Sequence, residues 1–104
     1  MDNEVEVFCF KLISTVGAAR SCYVEAVQKA KEGDYETARK LFEEGNENFH
    51  QGHQLHAQTI QKEAGGDTVT MSLLVAHAED QLMSAETLKI VCEELIELYN
   101  RTNK

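Results

Sequence analysis

The chain has 104 residues, a length that fits one domain (1–104) with a modest core. A formal net charge of −8, from 18 Asp and Glu against 10 Lys and Arg, excludes the overall basic balance that nucleic acid or an anionic membrane surface requires of a partner. Proline and tryptophan are absent and glycines number only six, which leaves a composition rich in good helix formers and favours an all-α protein.

The opening stretch MDNEVEVFCF has neither a basic region nor a cleavage site, so no secretory leader is expected. Apolar runs fall well short of the roughly 20 residues that span a bilayer, so no direct membrane insertion is expected. From about 3 to 32, Val5, Leu12, Ala19 and Ala26 recur every seven residues. Cys9, Val16, Tyr23 and Ala30 repeat the pattern four positions later. Together they predict one helix with a continuous apolar seam. Cys9, Cys22 and Cys92 are odd in number and form no CxxC, the pattern of reduced, buried thiols in a cytosolic protein. At Gly33-Asp34 the glycine can end the helix in the left-handed region, and the aspartate can cap the next.

A second helix is predicted over 35–64. Phe42, Phe49 and His56 share a seam with Ala38, Gly45 and Gly52, so large rings alternate with small residues and predict close packing on a neighbour. His50, His53 and His56 lie three apart, a spacing that can serve zinc. No cysteine or carboxylate at matching spacing completes such a site. These histidines are read instead as lining a helix face, some of them surrounding the third-helix site in the assembly. Gly65-Gly66-Asp67-Thr68 makes a second break by the same logic as the first.

A third helix is predicted over 69–102. Met71, Ala78, Ala85, Cys92 and Tyr99 form one row; Leu74, Leu88 and Leu95 form another, interrupted by Gln81. Long helices with short turns predict an antiparallel up-down-up three-helix bundle. Residues 71–78, MSLLVAHA, are apolar nearly all round, whereas a bundle helix should keep one outward face. The start of the third helix is therefore expected inside an oligomer, with Leu73, Asp80 and Thr87 in a separate row able to face a symmetry axis.

His77 lies three residues before Asp80 and four before Gln81, so all three share a helix face, with Ser84 one turn beyond. Glu79 is expected to point elsewhere, into solvent. An imidazole beside a carboxylate can be a general base, a nucleophile or a metal ligand. Copies of Asp80 meeting at an axis would repel one another unless protonated or bridged by a hard cation such as Mg2+. Arg20 could bind phosphate, but a single arginine is a weak signal, and it is read as a solvated or helix-end residue. The competing reading is a non-catalytic helical scaffold or regulatory interaction module in which His77 is structural.

Four stretches then align with one family: Gly17-Ala18-Ala19-Arg20-Ser21; Ala30-Lys31-Glu32-Gly33-Asp34; Gln58-Thr59 with Glu63-Ala64-Gly65; and His77-Ala78-Glu79-Asp80-Gln81-Leu82-Met83. Over nearly its whole length the chain resembles the enzyme IIA component of the lactose/cellobiose/chitobiose class of bacterial sugar phosphotransferase systems, whose last motif reads His-Ala-Gln-Asp-His-Leu-Met. The resemblance implies a cytoplasmic homotrimer of three-helix bundles. It implies that His77 accepts a phosphoryl group from the histidine-containing phosphocarrier protein. It implies onward transfer to a cysteine of the IIB component, which serves the IIC membrane permease. It also implies one Mg2+ per trimer, shared by Asp80 of three subunits. Gln81 departs from the family's second histidine and Glu79 from its glutamine; both changes bear on the surroundings of the phosphate. Systems for lactose, cellobiose and diacetylchitobiose share this subunit type, so the resemblance leaves the disaccharide open.

Overall fold

The computed structural model describes residues 3–103 as three α-helices: α1 Asn3–Lys31, α2 Tyr35–Ala64 and α3 Leu73–Thr102. Among the described residues there is no strand. The helices lie side by side in a rod of 55 × 21 × 19 Å. α1 packs along both of the others, which touch each other much less. The Tyr35 hydroxyl donates to the Tyr99 carbonyl at 2.8 Å, so the start of α2 and the end of α3 share one end of the rod. The order is up-down-up.

Both glycine breaks end their helices in the same way. Gly33 has φ 85°; its N–H reaches the Ala30 carbonyl at 3.0 Å, and the Asp34 N–H reaches that of Lys29 at 2.9 Å. Gly66, at φ 102°, repeats this pairing on Glu63, with Asp67 on Lys62. These crossed bonds satisfy the last helical carbonyls and require the left-handed geometry that glycine tolerates. Asp34 then caps α2, its carboxylate accepting from the Thr37 N–H at 3.2 Å.

The hydrogen bonding of Thr37 holds the Asp34 carboxyl below its ordinary value of 3.8, with smaller help from Lys29 and Lys40. A lowered folded-state pKa stabilises the fold above the unfolded value, and that contribution is lost as pH falls through the folded value. Asp34→Asn retains a capping oxygen but not the charge. Its thermal midpoint is therefore expected to fall less than that of the parent as pH drops below 3.8, as followed by circular dichroism.

The second break differs from expectation. α3 starts at Leu73 rather than near 69, and Asp67 does not cap it. Thr68-Val69-Thr70 is a run of β-branched residues that disfavours helix, and Ser72 supplies the cap, its hydroxyl accepting from the Val75 N–H at 3.2 Å. Met71, expected on a core row, precedes the helix and is 69% exposed.

The α1 seam is buried as its heptads predict. Cys9, Leu12 and Val16 join Val75, Ala78, Leu82 and Ala85 in one cluster, and Ala19, Tyr23 and Val27 join Cys92 in another. Phe49 packs against both. α2 approaches through Ala38, Gly45 and Gly52, all buried, with the rings of Phe42, Phe49 and His56 half-buried beside them. The three cysteines are buried and free, and burial, the leading cause, pushes each thiol up. Burial also pushes the Tyr23 hydroxyl from 10.0 to about 12; it donates to Asn46 Oδ1 at 2.8 Å.

One 18-residue stretch of α1 has a mean hydropathy of 1.3, so by length and composition alone this helix is apolar enough to cross a membrane, which the short apolar runs did not suggest. Its buried seam packs on both other helices, the arrangement of a core helix.

Candidate functional site

The inward turn of α3 is set by Val75, Ala78, Leu82 and Ala85, which bury one stripe against α1 and α2. The same helical period turns His77 and Asp80 outward, and both are exposed. Around them the outer face is apolar: Leu73 is 89% exposed, Met83 66% and Ile90 60%. The apolar excess read from MSLLVAHA therefore exists as a surface, continued along α3 by Val91 and Leu98. An apolar strip of this kind, with His77 and Asp80 set in its first turns, marks an interaction face.

Gln81 sits at the edge of this face, half-buried. Its Oε1 accepts a hydrogen bond from Arg20 Nη1 of α1 at 2.7 Å, which explains why a polar residue interrupts the leucine row. Arg20 is thus not a solvated or helix-end residue. It is half-buried, and its Nε is buried. Sequence spacing within α3 carries no trace of this contact, because it depends on how α1 and α3 are rotated against each other. Gly17, Arg20, Ser21 and Val24 of α1, with Leu88 of α3, line a shallow cleft there.

Glu79 also departs from expectation. It is half-buried rather than solvated, with its carboxylate against Nδ1 of His56. The position next to the buried Ala78 faces α2, where His56 meets it. The α2 histidines do not converge as a metal site. The His53 and His56 rings are 6.4 Å apart between centroids, His53 lies 6.2 Å from Phe49, and His50 is exposed. Among the described residues no three His, Cys, Asp or Glu side chains are gathered to hold a metal within one chain.

The structure thus places His77 and Asp80 on one exposed face, brings Gln81 to Arg20, and removes Glu79 to a separate contact with α2. Such a face can present an imidazole nitrogen to a docking partner without rearrangement of the bundle.

Known proteins resemble this chain over nearly its full length. The family model for "PTS system, Lactose/Cellobiose specific IIA subunit" matches residues 7–100. The lichenan-specific phosphotransferase enzyme IIA component of Bacillus subtilis (strain 168) is 42% identical over 101 residues, covering 97% of this chain and 92% of that protein. The solved cellobiose-specific enzyme IIA from Bacillus anthracis superposes with a TM-score of 0.95 at 36% identity, over 99% of this chain and 94% of that one. The IIA(chitobiose) of the Escherichia coli N,N'-diacetylchitobiose branch, solved in complex with HPr, superposes with a TM-score of 0.81 at 27% identity, over 99% and 100% of the two chains. The chain belongs to the lactose/cellobiose-specific IIA family of the sugar phosphotransferase system.

Proposed function

We propose that this protein is the cytoplasmic phosphocarrier subunit of a disaccharide phosphotransferase system. His77 accepts a phosphoryl group from the histidine-containing phosphocarrier protein and passes it to a cysteine of the cognate IIB component, which serves the IIC permease. The observation that carries this reading is the exposed His77 on the outer face of α3 in a member of this family. The HPr complex of a similar IIA supports the first partner. A ring nitrogen attacks phosphorus in line, and the resulting P–N bond is labile enough to be passed on; positioning and charge do the rest. The net charge of −8 favours encounter with a basic partner surface. The test is incubation with phosphorylated phosphocarrier protein. One acid-labile phosphate per chain, discharged on adding a IIB domain, is expected; no acid-labile phosphate would refute the reading.

In this reading three chains assemble through the strip of the outer face of α3 that carries Leu73, Asp80 and Thr87, whose apolar surroundings are otherwise left to water, and His77, at the margin of that strip, stays open to its partners. Asp80 suits Mg2+ in donor chemistry, as a hard carboxylate that no cationic side chain of its own chain pairs among the described residues. One carboxylate cannot hold the ion, so three subunits would contribute one each. When bound, Mg2+ would offset the repulsion of these carboxylates. A chelator is therefore expected to weaken the trimer in sedimentation velocity, and Asp80→Asn, which removes both the repulsion and the ligand, to make assembly insensitive to chelation. Metal-free, chelator-insensitive parent protein would dismiss the shared ion.

A further inference from the structure

We propose that Arg20 is a positioning residue for phosphoryl transfer, holding the Gln81 amide so that its NH2 group donates to the phosphoryl group on His77. This rests on His77 being the acceptor. A guanidinium can only donate, so the oxygen of the Gln81 amide must be the atom facing Arg20, and the NH2 group must face away. The 2.7 Å contact from Arg20 Nη1 to Oε1 therefore fixes an orientation that a free glutamine lacks. Gln81 is one turn beyond His77, with Cβ atoms about 5–6 Å apart at this spacing, and helical side chains lean toward the N-terminus, hence toward His77.

Arg20 is suited to this part. Its Nε is buried without an acceptor, and no carboxylate pairs with the guanidinium among the described residues, although Glu25 lies on the same cleft. An uncompensated positive charge on the amide oxygen polarises the amide and strengthens its N–H donors. Of the nearby carboxylates, Glu79 is engaged with His56, and Asp80 is exposed on the outer face. During transfer the P–N bond to the donor histidine breaks as the P–N bond to His77 forms. Charge is carried on the three remaining phosphoryl oxygens, where an oriented donor acts.

The experiment measures, in the full-length chain, the rate of phosphoryl uptake from phosphorylated phosphocarrier protein. Gln81→Leu is expected to slow uptake about tenfold or more, since a fully preorganised donor aimed at developing charge contributes about a hundred- to a thousandfold. Arg20→Ala should slow it in the same direction, and Arg20→Lys should recover much of the loss. Adding Arg20→Ala to Gln81→Leu should change nothing further, because Arg20 acts through Gln81. Parent-like rates in both single variants, or additive losses in the double, overturn the role. Independently of how the variants fold, the side-chain NH2 resonances of Gln81 should move when the parent protein is phosphorylated; unmoved resonances also overturn it. Undiminished labelling of His77→Gln would instead refute the acceptor assignment itself.

Discussion

His77→Gln is expected to fold normally and to take up no phosphate. His77 is exposed and belongs to neither apolar cluster, so its replacement should change stability by no more than about 0.5 kcal/mol. Glutamine keeps the length and polarity of the side chain but has no nucleophilic nitrogen. The loss of labelling is therefore chemical rather than structural, and unchanged circular dichroism beside absent acid-labile phosphate would show it. Phosphate persisting on the variant would redirect attention to His50 and His53, the other exposed histidines.

Gly45→Val is expected to have the largest effect on stability. A Cβ at this position would lie 2.7 Å from Tyr23 Cε1, 2.8 Å from Cδ1 and 3.2 Å from the Cβ of Cys22. The obstacle is an aromatic ring with no exposed surface, tethered by its hydroxyl to Asn46 and packed at 5.1 Å on the Phe42 ring. Moving it breaks a hydrogen bond and a ring contact together. Even Gly45→Ala, which gains about 1 kcal/mol of helix propensity, meets this clash. Overpacking costs typically about 1–3 kcal/mol for added methylenes, and valine adds two further methyl groups against the same wall. We expect Gly45→Val to lower the thermal midpoint by at least about 10 °C, taking roughly 4–8 °C per kcal/mol for a domain near this size. A parent-like midpoint would mean that α2 can back away from α1 at little cost. Tyr23→Leu combined with Gly45→Val should recover part of the loss, since the two changes act on one contact.

The bundle was legible because its signals are local. The heptads of α1 name its buried seam, and Gly33 and Gly66 mark the helix ends by a backbone geometry that few other residues adopt. The start of α3 differs from expectation because aspartate after glycine is a cap at Asp34 yet only part of the preceding helix stop at Asp67. The difference lies in the β-branched run that follows. His77 and Asp80 could be placed on one outer face from their spacing alone. Glu79 and Arg20 could not, since their partners, His56 and Gln81, belong to other helices. Such contacts are fixed by the rotation of each helix about its axis, which no single segment encodes.

The two ends of the rod are pinned by different sets of contacts. Where the α1–α2 turn meets the end of α3, the Tyr23, Tyr35 and Asn103 side chains all make directional bonds between helices. At the other end, under His77, the helices meet through the aliphatic groups of Leu12, Val16, Val75 and Leu82, and α3 is also tied to α1 through Arg20–Gln81 and to α2 through His56–Glu79. The first end sets the axial alignment of the three helices. At the second, Arg20 on one side and His56 on the other hold α3 against rolling about its axis, so that the His77 ring keeps one bearing relative to α1 and α2.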